Sequence, residues 1–224
     1  MLFPLVSCLL LAITPMMMAK SLSHSRLVLG SGSASRKFLL TEAGYTFLIR
    51  KADIDEKAIG ERSIPGFENA KELVMNLGVA KADAILKKYH DDMEIQNSIL
   101  ITCDQVVLCN NKILEKPVDV MEARSFISQY RHNYCQTVGS IVLTDITSRK
   151  RVASVDTSKI YFNDIPESVV DRLLAEGEVL QCAGGLMVEH ALVQPHVSRI
   201  EGSMDSLMGL SIPLLQSLIE SLKA

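Results

Sequence analysis

The sequence predicts an α/β protein, a mixed β-sheet flanked by helices. Two observations lead there. Short apolar, strand-like runs alternate with helix-like stretches along the chain, and neither an internal repeat nor a long low-complexity tract interrupts them. The 224 residues, 48% hydrophobic and 22% charged, suit one domain with a sizeable core and leave room for two lobes around a cleft.

The elements follow in order. Leu27-Val28-Leu29 reads as a short buried strand, followed by a loop of small residues, Gly30-Ser31-Gly32-Ser33-Ala34-Ser35. A helix runs from about Arg36 until Gly44 stops it, and Tyr45 to Arg50 returns as a strand. A long helix covers Asn69 to Lys88, with Leu73, Leu77, Ala80 and Ala84 on one face. Ile99 to Cys103 and Gln105 to Cys109 read as strands, and Asn110-Asn111 marks a turn. After a helix over Met121 to Tyr130, Cys135–Thr144 and Val152–Phe162 form an antiparallel pair whose charged connection, residues 147–151, is a solvated hairpin tip. Pro166 opens another helix behind an Asn163-Asp164 cap, and Leu214, Leu215, Leu218, Ile219 and Leu222 make the packing stripe of a last one.

Composition excludes several classes. A net charge of −3 gives no electrostatic footprint for a nucleic-acid polymer. Five scattered cysteines without a CxxC pair, and five histidines without HxxxH spacing, leave no zinc or thioredoxin-like site. That cysteine usage fits a reducing, cytoplasmic compartment. Residues 1–25 form an apolar extension containing Pro4 and Pro15, without a basic stretch before it. It reads either as a secretory or organellar leader or as a non-structural extension, and the folded domain, which needs no membrane, is expected over residues 26–224.

Four places could carry chemistry. The Gly30–Ser35 turn, between a strand and a helix, is either a packing turn or a phosphate cradle; three hydroxyls (Ser31, Ser33, Ser35) followed by Arg36 and Lys37 favour phosphate. Asp53-Ile54-Asp55-Glu56 is an acidic loop that alone reads as solvated surface. Asp104 interrupts an apolar run, where a carboxylate is costly unless paired or bound to a cation. Lys116, after a short hairpin, is placed to return towards Asp104, either as a structural salt bridge or as part of a site. Lys81 emerges beside the apolar stripe of its helix and either snorkels out of the core or points into a cleft.

Together these pieces resemble the Maf family of septum-formation-inhibitor-like nucleoside triphosphate pyrophosphatases. The motifs stand in that family's order: Gly30-Ser-Gly-Ser-Ala-Ser-Arg-Lys37, Asp53-Ile-Asp-Glu-Lys57, Ala80-Lys-Ala82, Cys103-Asp-Gln-Val-Val107, Lys116-Pro117, Ala183-Gly184 and Ile200-Glu-Gly-Ser203 with Gly209-Leu210. The resemblance implies an α/β fold in two lobes around a deep nucleotide-binding cleft, a homodimer, and hydrolysis of a nucleoside triphosphate to monophosphate and pyrophosphate with Mg²⁺ or Mn²⁺. It assigns Asp104 as proton acceptor and metal ligand, Glu56 as the second metal-holding acid, and Arg36, Lys81 and Lys116 as cations facing the phosphates.

Three positions depart from the family's pattern. Ala34 stands in place of the usual proline, Ser35 where many members carry a second arginine, and Ser211 in place of a proline. They bear on loop geometry and base preference rather than on the reaction. Gln105 and Glu189 resemble the pair of the 7-methyl-GTP-preferring branch, whereas pyrimidine-preferring members carry threonine and glutamine. A carboxylate at 189 can accept from the adjacent N1–H and N2–H₂ donors of guanine, or it pairs structurally with a nearby cation such as Arg199 and never meets the base. The other readings are a dTTP/UTP pyrophosphatase and a non-catalytic nucleotide-binding regulator of cell division.

Overall fold

The computed structural model describes residues 26–130, 134–185 and 187–224. The expected apolar extension over residues 1–25 lies outside them. The strands are β1 (Arg26–Leu29), β2 (Phe47–Ile49), β3 (Ser98–Cys109), β4 (Lys112–Leu114), β5 (Tyr134–Asp145), β6 (Arg151–Phe162) and β7 (Val197–Glu201). The helices are α1 (Ala34–Glu42), α2 (Phe67–Lys88), α3 (Val120–Tyr130), α4 (Glu167–Glu176), α5 (Met204–Leu207) and α6 (Ile212–Lys223). Among the described residues, no helix is long and apolar enough to cross a membrane.

The sheet is mixed, as expected. Its order is β2-β1-β3-β5-β6-β7, with β1 parallel to both β2 and β3 and the remaining pairs antiparallel. β3 was expected as two strands broken at Asp104; it is one strand of twelve residues. The backbone at Asp104 keeps its place opposite Ser140, whose Oγ accepts from the Asp104 N–H at 3.2 Å. A strand ladder is indifferent to side-chain charge so long as the side chain has somewhere polar to go.

Partner register also creates a gap. β5 occupies one edge of β3 from Ile99 to Leu108. On the other edge β1 pairs only as far as Ile101, and β4 begins to pair only at Val107. Between them, residues 102–106 of β3 have no strand neighbour on that edge. The sheet is therefore open at its middle, with β1, β2 and α1 to one side, β4, α3 and α4 to the other, and α2 running across one face of both.

The helices seal the two faces. Leu39 and Leu40 of α1 and Leu215, Leu218, Ile219 and Leu222 of α6 pack on Leu27, Leu29, Ile99 and Ile101. On the opposite face α2 buries Leu73, Val74 and Leu77 against Val106 and Val138, and Ala82 and Ile85 against Val28 and Leu100. The buried face of α2 thus runs through Leu73, Leu77, Lys81 and Ile85, while Ala80 and Ala84 are only half-buried. Lys81 lies on the core-facing side of the helix, not beside it. Gly78, one turn earlier, brings α2 close to the sheet: a Cβ there would stand 2.7 Å from Ser140 Oγ. Thr102 Oγ1 uses that approach to donate to the Gly78 carbonyl at 2.7 Å.

Capping explains several boundaries. α1 begins at Ala34 rather than Arg36, because the Ser33 hydroxyl accepts from the Arg36 N–H. α4 is preceded by Pro166 itself, without a side-chain cap from Asn163 or Asp164. Ser211, in place of the family's proline, caps α6 by accepting from the Leu214 N–H. β7 and the 3₁₀ turns around residues 178–196 had no counterpart in the sequence reading.

Candidate active site

The opening in the sheet is a cavity of about 1160 Å³. Its floor is the unpaired edge of β3 with Cys103, Asp104 and Gln105. One wall is the Gly30–Arg36 turn with Lys51, Glu56, Lys57 and Lys81, and the other holds Lys116, Cys182, Met187 and Glu189. All ten residues singled out for the site line it: Ser31, Ser33, Ser35, Arg36, Glu56, Lys81, Asp104, Gln105, Lys116 and, from the far wall, Glu189. Lys37, which helped to suggest phosphate in the sequence, does not line it.

At the centre stands an acid–ammonium–acid cluster. Lys81 Nζ lies 2.6 Å from Asp104 Oδ1 and 3.0 Å from Glu56 Oε1. Asp104 is 8% exposed and Lys81 9%. Burial pushes the Asp104 carboxyl above the ordinary carboxylate range, and the adjoining Lys81 ammonium, with Arg36 further off, pulls it back down. The partner of Asp104 is thus Lys81, not the Lys116 that the hairpin suggested. Asp104 reaches this position because even-numbered residues of β3 face α2. Glu56 arrives from a 3₁₀ turn, Glu56–Ala58, whose cap is the Asp55 side chain accepting from Lys57 N–H at 3.1 Å. Asp53 turns away to Lys88 at 3.7 Å. Of the acidic loop, then, only Glu56 enters the cluster.

Arg62 fastens that loop. Its guanidinium donates to the carbonyls of Glu56 and Ile59, each at 2.7 Å, and to Glu115 Oε2 at 2.8 Å. Glu115 precedes Lys116, so one side chain ties the loop carrying Glu56 to the segment carrying the opposite-wall cation. Sequence reasoning passed over Arg62, and a lone arginine in a polar loop gives no signal of it.

Arg36 is held rather than free. Nε donates to the Gly209 carbonyl at 2.9 Å, and Nη1 to the Cys103 carbonyl at 3.2 Å and Ser31 Oγ at 3.3 Å. Ser31 Oγ also accepts from Ser33 N–H, and Ser33 Oγ caps α1. Two of the three loop hydroxyls therefore shape the turn. Ser35 reaches across the cavity and donates to Glu189 Oε1 at 3.3 Å. Gln105 Nε2 donates to the Ser206 carbonyl at 2.8 Å, which fixes the amide on the α5 side.

Glu189 does not pair with Arg199. Arg199 is taken by Glu201 at 2.9 Å and lies over the Tyr161 ring, 4.1 Å from its centroid. Lys116 and Glu189 instead share the neighbourhood of Cys182. Burial, with the Glu189 carboxylate next, lifts that thiol to about 11, and Lys116 opposes them.

Chemically, the cavity offers hard oxygen donors, two carboxylates meeting at one ammonium, beside cations not spent on acids. Phosphates with a divalent cation match that donor set. Lys51 was missed; the signal for it is that parallel β1 and β2 end at the same edge of the sheet, so the residue after β2 adjoins the turn after β1.

Comparison with known proteins bears on what such a cavity serves. The family model described as Maf-like protein matches residues 26–222. A 7-methyl-GTP pyrophosphatase of Dictyostelium discoideum is 35% identical over 195 residues, 86% of this chain and 95% of that protein. A dTTP/UTP pyrophosphatase of Vibrio vulnificus is 30% identical over 187 residues, covering 84% of this chain and 93% of its own. A nucleoside triphosphate pyrophosphatase of Nostoc punctiforme is 28% identical over 195 residues, 87% of this chain and 92% of its own. With a mixed α/β sheet, the motifs gathered at its open edge and a match over nearly all of the described residues, the chain belongs to the Maf-like protein family.

Proposed function

We propose that the protein hydrolyses a nucleoside triphosphate between its α- and β-phosphates, releasing the monophosphate and pyrophosphate. The observation that carries this is the Asp104–Lys81–Glu56 cluster at the unpaired edge of β3, inside a cavity large enough for a nucleotide. Glu56 and Asp104 would hold Mg²⁺ or Mn²⁺; the two carboxylates fit it because both already converge on one positive charge, and such ions are commonly held by one or two carboxylates together with substrate phosphates. When bound, the ion supplies neutralisation of the phosphate oxygens.

The chain's own groups supply the rest. Asp104 takes the proton of the attacking water as its oxygen bonds to the α-phosphorus and the bond to the β-bridging oxygen breaks. A buried carboxylate, raised in pKa, is a better base than an exposed one. Lys81, Arg36 and Lys116 face the charge that gathers on the phosphate oxygens.

The base wall supports 7-methyl-GTP as the preferred substrate, the activity named for the Dictyostelium relative. Glu189 lines the cavity, unclaimed by Arg199, and accepts two adjacent donors of guanine better than it accepts uracil or thymine, which set a carbonyl on each side of N3–H. N7-methylation adds positive charge to the ring, to the benefit of a carboxylate partner. A pyrophosphate-release assay over 7-methyl-GTP, GTP, UTP and dTTP tests both parts. Release from none sinks the activity; preference for UTP or dTTP overturns the base assignment alone.

A further inference from the structure

Lys51 follows β2 directly. Parallel pairing of Leu29 with Ile49, and a bond from Arg50 N–H to the Leu29 carbonyl at 3.1 Å, carry the chain past the end of the sheet alongside the Gly30–Ser33 turn. The Lys51 side chain lies across Gly32. A Cβ added at Gly32 would stand 3.0 Å from Lys51 Cε and 3.2 Å from its Nζ. Glycine at 32 is what leaves the face of the turn open to this ammonium.

Four neighbouring cations are already engaged. Arg50 holds Asp92 and Glu94, Lys88 reaches Asp53, Lys81 holds Asp104 and Glu56, and Arg36 donates to backbone carbonyls. Among the described residues no acid pairs with Lys51, yet it lines the cavity beside the N-terminus of α1. A cation poised over exposed backbone at the start of a nine-residue helix is arranged for an anion.

The two walls set which part of a nucleotide it meets. Gln105 is fixed on the α5 side through Ser206, and Ser35 and Glu189 meet across the cavity. Lys51 belongs to the β1–β2 side, where the adjoining Ala52 packs with Val28 and Ile85. Asp104 and Lys81 stand between. We propose that Lys51 binds the terminal phosphates of the substrate, those that leave as pyrophosphate. Which phosphates they are rests on the pyrophosphatase reading; that Lys51 binds a polyphosphate rests on the geometry alone.

The test is calorimetric, on the full chain with Mg²⁺ present, using inorganic pyrophosphate and GMP as separate probes. Lys51→Gln should weaken pyrophosphate binding about tenfold, the scale of one charged hydrogen bond, and leave GMP binding unchanged. Lys51→Arg keeps the charge and should retain most of the affinity. An unchanged pyrophosphate affinity in Lys51→Gln overturns the proposal, and so does an equal loss for GMP. Turnover by the wild type is read separately. A wild type that binds pyrophosphate through Lys51 but hydrolyses no nucleotide would remove the activity and keep the polyphosphate site.

Discussion

At the scale of the residue, the site turns on a carboxylate that the core tolerates because an ammonium 2.6 Å away pairs with it, while the exposed Glu56 on that same ammonium opposes its charge. Asp104→Asn keeps the shape and the backbone place opposite Ser140, and Lys81 retains Glu56. Loss of a general base costs about 10² to 10⁴ in rate. We expect turnover to fall by at least that factor with an unchanged fold, checked by pyrophosphate release beside a thermal melt. Near-normal kcat at an unchanged Tm would remove Asp104 from the chemistry. Glu189→Gln is a different experiment at the same scale, since it alters recognition. The amide presents one acceptor and one donor where the carboxylate presents two acceptors, so the ratio of kcat/KM for 7-methyl-GTP over UTP should shrink, while the variant stays active. An unaltered ratio would show that Glu189 serves only its bond from Ser35.

At the scale of the element, position depends on close fits that one atom can spoil. Gly78→Ala puts a methyl 2.7 Å from Ser140 Oγ and 2.9 Å from Val142 Cγ2, and nothing on a well-packed helix–sheet contact gives way freely. Overpacking of this kind costs about 1–3 kcal/mol, measurable as a lowered denaturation midpoint at unchanged m-value. The loop carrying Glu56 depends on Arg62 in another way. Arg62→Ala frees the Glu56 and Ile59 carbonyls and Glu115 together. The loop is mostly exposed, so global stability should change little. Pyrophosphate release should drop about tenfold or more, as a misplaced acid costs rate out of proportion to stability, and Arg62→Lys should not restore it, because an ammonium cannot span the same fork of acceptors. Full activity in Arg62→Ala would show that the Glu56 turn holds itself.

At the scale of the whole molecule, the site exists because β1 and β4 stop short of each other along one edge of β3. Among the described residues, all the groups that build it come from residues 30–209. Removing residues 1–23 should therefore leave Tm and pyrophosphate release as they were; a truncated chain that unfolds or loses most of its activity would show that those residues belong to the domain.

The order of motifs was legible along the chain, and so were the α/β alternation, most helices and the packing stripe of α6, because periodicity and capping are local properties. Asp104 was legible too, as a charge in an apolar run, and the ordered motifs named the family. The partners were not. That Asp104 meets Lys81 rather than Lys116 follows from α2 crossing β3 at Gly78, a contact between residues 23 apart for the ion pair itself. Lys81 on the buried face, Ser33 spent on a helix cap, Arg199 drawn to Glu201, Lys51 laid over Gly32 and Arg62 joining two walls all depend on distances across the fold. A sequence determines which groups are present and which local structure each stretch prefers. Which acid finds which base is decided only when the sheet register and the helix crossings bring them within about 3 Å, the range in which hydrogen bonds and ion pairs form.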